Sequence, residues 1–299
     1  MLKDYPLIVD VKRDSSEDGP GIRTTVFFKG CPLSCKWCQN PEAIDPHIEI
    51  GFYPQDCIGC FDCEEVCPEG AILKEAEVRI DRSRCTRCGK CADVCPGRGL
   101  RQIGRFYEIK DLVALLLRDR SFYDASGGGV TLSGGEPTLW PVYAGKLLRK
   151  LKDEGIHTAL QTCGYFEYAT FKQEMLPWLD LIMYDLKLID SEDHLRYTGQ
   201  ENMRIIENFS RLLNENIEIV PRIPLIPGFT TPEKNLAGIS DFLKEHGVES
   251  CSLLPYNLLG LSKWERLGKS RSIMPTNLMQ RSEVDSCRQV FSWAQVMNL

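Results

Sequence analysis

The cysteines constrain what this 299-residue chain can fold into more than any other feature. There are 14 of them, and 11 fall between residues 31 and 95. In a small secreted domain they would suggest disulfide bonds, but a chain of this length can build a core without cross-links. The N-terminal residues lack the apolar stretch that directs secretion. The sequence therefore predicts a cytoplasmic protein whose clustered thiols bind metal.

Eight of these cysteines form one pattern that occurs twice. Each copy reads C-x2-C-x2-C-x3-C-P, and the copies begin at residues 57 and 85. This is the bacterial ferredoxin pattern, in which three thiolates hold one cubane and the fourth ligates the neighbouring cluster. The predicted ligands of one [4Fe-4S] cluster are Cys57, Cys60, Cys63 and Cys95. Those of the other are Cys85, Cys88, Cys91 and Cys67.

Structural zinc is the alternative for this stretch, because cysteine pairs with two intervening residues also form zinc ribbons. A four-cysteine zinc site needs two pairs, whereas this pattern repeats a triplet with a displaced fourth cysteine, which favours iron–sulfur clusters. Residues 51–104 are rich in Cys, Gly and Pro and poor in large apolar side chains. We interpret them as an insertion held together by metal, which could relay electrons or shape a docking surface.

Outside the insertion, strand and helix patterns alternate, and this alternation predicts βαβ units with a parallel sheet. The predicted strands are residues 7–12, 23–29, 129–133, 157–162, 181–188, 217–226 and 249–254. The predicted helices are residues 108–118, 142–154, 171–179, 202–214, 231–247 and 282–297. Thr231 and Pro232 are expected to open one helix as cap and first residue.

A different group of cysteines precedes the insertion. Cys31, Cys35 and Cys38 have the spacing C-x3-C-x2-C and follow the predicted strand 23–29 directly. Three thiolates cover three irons of a cubane and leave the fourth iron open, and an open metal position is where substrate binds. The end of a strand is also where (β/α) barrels place their sites. A chance group of thiols is the alternative for the triplet taken alone.

With Trp37 as its aromatic residue, the triplet resembles the C-x3-C-x-aromatic-C signature of the radical S-adenosylmethionine (SAM) enzymes. In that family the open iron binds the methionine moiety of SAM, and one electron splits the sulfonium to give a 5′-deoxyadenosyl radical. Further stretches resemble one branch, the activating enzymes of glycyl-radical enzymes. These stretches are Asp18–Arg23 (DGPGIR), Ser133–Pro137 (SGGEP), Asp185–Lys187 (DLK), Arg222 and Leu254–Asn257 (LPYN).

The resemblance covers nearly the whole chain and carries expectations for fold and site. It implies an α/β fold, a partial (β/α) barrel in residues 1–50 and 105–299, with a ferredoxin-like insertion at 51–104. Catalytic roles are expected for Cys31, Cys35, Cys38 and Lys187. SAM contacts are expected from Trp37, Cys38, Gln39, Gly134, Gly135, Glu136, Asp185, Leu186, Lys187, Arg222 and Asn257. Asp18 is the candidate contact to the glycine loop of a partner.

The chemistry of these side chains agrees with the expected roles. A Gly-Gly pair at a strand end allows the backbone to approach a ligand closely. Glu136 offers an acceptor for an ammonium group, and Lys187 offers a cation for a carboxylate. Each feature alone also has an ordinary structural explanation, such as a turn, a solvated carboxylate or a strand-end cap. Their occurrence in order on successive strand ends favours a common site.

Two positions depart from the family pattern. Gln161 stands where relatives often carry an acidic residue, and this puts in doubt a cation site built with Asp185 and Met183. Asn257 stands where some relatives have histidine, so no proton transfer is assigned to it. The cysteines outside both groups are interpreted as core residues, with one of them near the expected SAM site; they are Cys163, Cys251 and Cys287.

The predicted function is activation of a glycyl-radical enzyme. A reduced flavodoxin or ferredoxin would supply the electron, and the radical formed from SAM would take a hydrogen atom from a backbone glycine of the partner. One alternative is a radical SAM modifier of peptides or small molecules with auxiliary clusters; another is a polyferredoxin-like electron carrier. Thirty-six basic against 42 acidic residues disfavour nucleic-acid binding, and no apolar run is long enough for a membrane span.

Overall fold

The computed structural model describes residues 5–74, 79–269 and 274–297. The strands are β1 (Ile8–Ser15), β2 (Arg23–Phe28), β3 (Glu49–Phe52), β4 (Leu100–Ile103), β5 (Gly129–Gly134), β6 (His157–Thr162), β7 (Leu181–Asp185), β8 (Glu218–Leu225), β9 (Ser250–Pro255) and β10 (Gln295–Met297). The α-helices are α1 (Asp62–Glu65), α2 (Lys90–Asp93), α3 (Ile109–Leu116), α4 (Arg120–Ser126), α5 (Pro141–Asp153), α6 (Tyr168–Glu174), α7 (Ser191–Thr198), α8 (Met203–Leu212), α9 (Glu233–Glu245), α10 (Leu261–Arg266) and α11 (Arg281–Val290).

Eight strands form one sheet in the order β1-β2-β5-β6-β7-β8-β9-β10. All neighbours pair in parallel except β1, which is antiparallel to β2. In the described chain the edge strands β1 and β10 do not pair with each other, so the sheet is open. Because parallel strands share one direction, the carboxyl ends of β2 and β5 to β9 lie at the same edge, where sites of α/β proteins form.

The inner strands β2, β5, β6 and β7 are buried on both faces, so their side chains are buried without alternation. Ile182 of β7 belongs to the main core, where the sheet packs against Leu147 of α5 and Phe209 of α8. The neighbouring residues Leu181 and Met183 point to the opposite face, where they form a second apolar cluster. The main core with these helices therefore lies on one face of the sheet, and a smaller apolar cluster lies on the other.

Residues 51–104 are enclosed by an antiparallel pair of strands, β3 and β4. Between them lie two single-turn helices, α1 and α2, each preceded by a residue in the left-handed conformation. The apolar core of this part is small, and cysteines complete it; its apolar members are Ile50, Phe52, Ile72, Ile80 and Leu100. Arg82 attaches the insertion to the main body by donating to the carbonyl oxygens of Ile50 (2.5 Å) and Arg266 (3.2 Å).

The structure corrects several expected elements. Helix α11 ends at Val290, and residues 295–297, expected to be helical, instead add strand β10 beside β9. Pro232 is the cap of α9, while Thr231 Oγ1 accepts from Gly228 N. No predicted helix corresponds to α1, α2, α4, α7 or α10. No helix in the described part of the chain is long and apolar enough to cross a membrane.

Candidate functional site

The first group of cysteines lies in the loop that follows β2. Cys31 N–H donates to the carbonyl of Ile44 (3.0 Å), and Cys38 N–H donates to that of Cys35 (3.0 Å). The loop packs into an apolar cluster; its buried members are Leu33, Cys35, Trp37, Cys163, Leu188, Ile226 and Tyr256. Burial raises the pKa of Cys35 to about 12. The three thiols of the loop thus gather at the carboxyl edge of the sheet.

The Gly-Gly pair after β5 is required by the chain's own backbone. A Cβ on Gly135 would lie 2.1 Å from the carbonyl oxygen of Gly30 and 2.5 Å from that of Ala43. On Gly134, whose φ is +107°, it would lie 2.3 Å from the nitrogen of Phe28. The pair therefore lets the end of β5 approach the segment that begins the cysteine loop, and its approach to a ligand stays a prediction.

Glu136 is completely buried, and both of its carboxylate oxygens are occupied within the chain. Oε1 accepts from Thr138 Oγ1 (2.8 Å) and Thr162 Oγ1 (3.0 Å), and Oε2 accepts from the backbone N–H of Cys163 (2.7 Å). Burial raises the pKa of Glu136. This geometry does not support the expected contact with an ammonium group: the side chain instead connects the end of β5 with that of β6.

A charged triad lies where β7 ends beside β8: Asp185 is the last residue of β7, Lys187 follows it, and Arg222 stands opposite Asp185 on β8. Lys187 Nζ lies 2.7 Å from Asp185 Oδ2, and Arg222 donates to Asp185 Oδ1 through Nε (2.9 Å). Burial alone would raise the pKa of Asp185, but Arg222 and Lys187 hold it below its usual range. Burial lowers the pKa of Lys187, yet Asp185 and the nearby thiols of Cys35 and Cys163 together bring it above its usual value. The triad carries one net positive charge beside the cysteine loop.

A late segment of the chain braces the cysteine loop from the other side. Gln39 Nε2 donates to the carbonyl of Asn257 (3.2 Å), and Gln39 Oε1 accepts from Gly260 N (3.0 Å). Trp264 Nε1 donates to the carbonyl of Cys38 (2.9 Å). Trp37 packs against Phe229, with their ring centroids 5.5 Å apart. The three hydrogen bonds join residues more than 200 positions apart, and the aromatic side chains of Trp37, Phe229 and Trp264 lie around the loop.

Asp18 makes its polar contacts inside the chain. Oδ2 accepts from Ser15 Oγ (2.5 Å) and Thr25 Oγ1 (2.8 Å), and Oδ1 accepts from Gln161 Nε2 (2.9 Å). Gln161 Oε1 in turn accepts from Ser133 Oγ (2.5 Å). Burial alone would raise the pKa of Asp18, but these hydrogen bonds lower it. The neutral amide of Gln161 is therefore a donor that holds the Asp18 carboxylate.

In the insertion, the eight cysteines line two separate cavities of about 350 Å³ each, including the part open to solvent. The thiols around the first are Cys57, Cys60, Cys63 and Cys95. Those around the second are Cys67, Cys85, Cys88 and Cys91. The two sets are the ones that the spacing predicts, including the exchange of the fourth cysteine. Within the described residues, no three Cys, His, Asp or Glu side chains are grouped closely enough for a single metal ion.

Comparison with known proteins identifies the family. The sequence profile of the radical SAM superfamily matches residues 25–237. The chain belongs to the radical SAM superfamily. It is 42% identical to the isethionate sulfite-lyase activating enzyme of Desulfovibrio desulfuricans, over 89% of this chain and 88% of the relative. It is 39% identical to the trans-4-hydroxy-L-proline dehydratase activating enzyme of Clostridioides difficile, over 88% of each.

A solved structure agrees at the level of fold. A radical SAM methyltransferase from Sphaerobacter thermophilus aligns with a TM-score of 0.50 over 97% of this chain and 76% of that chain, at 12% identity. The predicted α/β fold with a mostly parallel sheet is thus confirmed, and the protein is a radical SAM enzyme. Membership in this family disfavours the electron-carrier alternative.

Several residues outside the sequence motifs also support the site of this radical SAM enzyme. Trp264 and Thr162 support the site through hydrogen bonds to residues 226 and 26 positions away, which leave no local sequence signal. Thr138 supports it through a local bond to Glu136, two positions before it. Cys251 and Cys287 are buried in the main core, as expected. Cys163 is also buried, but it lies against the cysteine loop.

Proposed function

We propose that this radical SAM enzyme activates a glycyl-radical enzyme. The gathering of Cys31, Cys35 and Cys38 beside the charged triad carries the proposal, and the names of its relatives as activating enzymes support it. Three thiols would hold a [4Fe-4S] cluster with one open iron. When bound, the cluster and SAM would supply a 5′-deoxyadenosyl radical and methionine, and the radical would take a hydrogen atom from a backbone glycine of the partner.

The donor set fits this cofactor. The loop places three soft thiolate ligands in an apolar cluster, the surroundings in which iron–sulfur sites are tuned. Lys187 and Arg222 share one carboxylate, so their excess positive charge suits the carboxylate of the methionine moiety. Because Glu136 is occupied internally, the amino group of SAM would bind backbone oxygens near Gly134 and Gly135. Trp37, Gln39, Leu186 and Asn257 would complete the pocket.

For the insertion we propose two further [4Fe-4S] clusters, held by the two cavity-lining sets of thiols. Four thiols around a cavity suit a cluster, whereas zinc needs its ligands about 2.3 Å from one ion. A reduced flavodoxin or ferredoxin is the proposed electron donor. Replacing Cys60 and Cys88 would separate the two roles of the insertion: slower reduction of the Cys31 cluster indicates relay, and an unchanged rate indicates docking.

The partner-facing segment is proposed to be residues 18–23. The carboxylate of Asp18 is held by Ser15, Thr25 and Gln161, which favours a role in shaping this loop over direct contact with the partner. The cytoplasmic location stays a prediction.

The experiment that tests the function is anaerobic reconstitution with iron and sulfide, reduction with dithionite, and addition of SAM. We expect 5′-deoxyadenosine from the wild type and none from Cys35→Ala. The matched control is Cys287→Ala, which removes a buried thiol in the core contacts of α11. Undiminished 5′-deoxyadenosine from Cys35→Ala contradicts the assignment. A glycyl-radical signal after mixing with candidate partner enzymes then identifies the partner.

A further inference from the structure

The two groups of insertion cysteines lie at different places along β3. We call the cysteines around the first cavity the first set and those around the second cavity the second set. Strand β3 begins at Glu49, whose Oε2 lies 2.8 Å from Nζ of the buried Lys29 on the main body. The second cavity borders the next residue, Ile50, whereas the first borders Phe52. Because a strand rises about 3.3 Å per residue, Phe52 lies about 10 Å along β3 from Glu49, so the second set is nearer to the main body along this strand.

An ion pair joins the second copy of the cysteine pattern to the segment that follows the Cys31 loop. Arg87, the residue before Cys88, donates through Nη1 to Asp45 Oδ2 (2.8 Å). The residue before Asp45 is Ile44, whose carbonyl oxygen accepts from the N–H of Cys31 (3.0 Å). One ion pair and one hydrogen bond, connected through residues 44–45, therefore link a loop of the second set with the loop that begins at Cys31.

The backbone of Arg87 indicates that this contact is a specific feature of the second copy. Its φ is +59°, in the left-handed region that side-chain-bearing residues rarely adopt. The equivalent residue of the first copy is Gly59, with φ +73°, and a Cβ built there meets no atom within 4 Å. The second copy thus has an arginine at a position where the backbone favours glycine, and the guanidinium of this arginine reaches Asp45.

The contacts around the first set stay inside the insertion. Asp56, just before the first copy, pairs with Arg101 of β4. Ile58 lines the first cavity and is 68% exposed, and Cys60 is exposed as well. Cys88 of the second set is also exposed, but the residue before it is bound to the main body. The first set therefore lies at a free surface of the described chain.

We propose that the insertion has an inner and an outer half, and that Arg87 and Asp45 are the positioning residues that hold the inner half against the Cys31 loop. The inner half contains the second set, and the outer half presents the first set to an external electron donor. The proposal rests on the proposed function, because it requires clusters on the Cys31 loop and in the insertion. It makes one set the direct neighbour of the SAM-binding cluster: Cys67, Cys85, Cys88 and Cys91.

The test is electron paramagnetic resonance of anaerobically reconstituted protein reduced with dithionite, since two reduced clusters that lie close together broaden each other's signals. The signal that changes on addition of SAM identifies the Cys31 cluster. We expect Cys88→Ala, which empties the second set, to remove the broadening from this signal. Cys60→Ala, which empties the first set, should leave the broadening in place. Iron analysis checks that each variant has lost about four irons per chain.

Arg87→Gln tests the ion pair while it keeps every predicted ligand. We expect full iron content, weaker broadening of the SAM-responsive signal, and slower appearance of this signal after mixing with a ferredoxin that has been reduced beforehand. The matched control is Arg101→Gln, which removes a similarly exposed ion pair from the outer half. It should change neither the broadening nor the rate at which the signal appears.

Broadening that survives Cys88→Ala and is lost in Cys60→Ala would overturn the proposed order of the halves. Equal behaviour of Arg87→Gln and Arg101→Gln would overturn the role of Arg87 and Asp45. If Cys88→Ala fails to fold, the comparison of these two arginine variants decides the proposal. A SAM-responsive signal without broadening in the wild type refutes the proposal alone, whereas a wild type with no SAM-responsive signal refutes the proposed function itself.

Discussion

Gly135→Ala tests whether the Gly-Gly pair serves the protein's own backbone. The added Cβ would lie 2.1 Å from the carbonyl oxygen of Gly30, the residue that precedes Cys31. Real Cβ atoms keep at least 3.0 Å, so the two segments must separate by 0.9 Å. The same oxygen accepts from the N–H of Glu136 at 2.7 Å, and a separation of this size breaks that bond.

Two effects of different size follow from this displacement. Overpacking of this kind costs about 1–3 kcal/mol of folding free energy. A shift of about 1 Å in a catalytic constellation costs about 100-fold in rate. We therefore expect Gly135→Ala to remain folded but to form 5′-deoxyadenosine about 100-fold more slowly, because Cys31 moves with Gly30.

The matched control is Gly247→Ala. Gly247 has φ +68° with no atom within 4 Å of a built Cβ, so alanine there costs about 1–2 kcal/mol through backbone strain alone. Thermal unfolding of the two variants, iron content and initial rate of 5′-deoxyadenosine formation are measured together. Equal rates in the two variants would refute the reasoning, since Gly135 would then have no effect beyond stability.

Three further outcomes are expected. Cys60→Ser and Cys95→Ser should each lose about four irons per chain, and the variant with both changes should also lose about four, because the two residues are predicted to hold the same cluster. Cys60→Ser combined with Cys67→Ser should lose about eight irons. If iron analysis shows that the losses for Cys60 and Cys95 add up, the predicted ligand pairing is wrong. Lys187→Met should weaken SAM binding about 10- to 100-fold, because a hydrogen bond to a charged group contributes about 1.5–3 kcal/mol. An unchanged Kd for SAM in equilibrium dialysis would contradict a role of Lys187 in binding. Burial lowers the pKa of His194. As pH falls below about 6.5, the unfolded chain therefore binds more protons than the folded protein, and the folded protein loses stability. The thermal unfolding midpoint measured from about pH 7.5 to about pH 5.5 should therefore fall less in His194→Gln than in the wild type.

The sequence predicted best what depends on short-range spacing. The exchange of Cys67 and Cys95 between two sets follows from a displaced fourth cysteine in each copy, and the cavities have the same membership. Strand β6 has the predicted bounds, residues 157–162. Helix α7 was missed although Asp190 caps it and Gly199 ends it, because its few buried side chains give a weak apolar stripe.

What the sequence could not show are contacts between distant segments. The bond from Trp264 to the carbonyl of Cys38 spans 226 residues, and nothing local marks either end. From the sequence, Gln161 is notable as a neutral residue where relatives often carry an acidic one. In the structure its amide connects Ser133 with Asp18 through hydrogen bonds. A motif identifies candidate functional residues but not the residues that each of them contacts, because these contacts depend on the register of adjacent strands.

The hydrogen bonds at the strand ends explain how the SGGEP segment can support the site through Glu136 without a direct contact between the Glu136 carboxylate and a ligand. Glu136 N–H donates to Gly30 just before Cys31, while its carboxylate accepts from the N–H of Cys163. Glu136 thus sets the spacing between the loop that carries the predicted cluster ligands and the backbone at the end of β6. Since a buried carboxylate is costly unless its hydrogen bonds are satisfied, this arrangement tolerates little movement. The positive charge proposed for the carboxylate of SAM lies instead on Lys187 and Arg222, which share the carboxylate of Asp185.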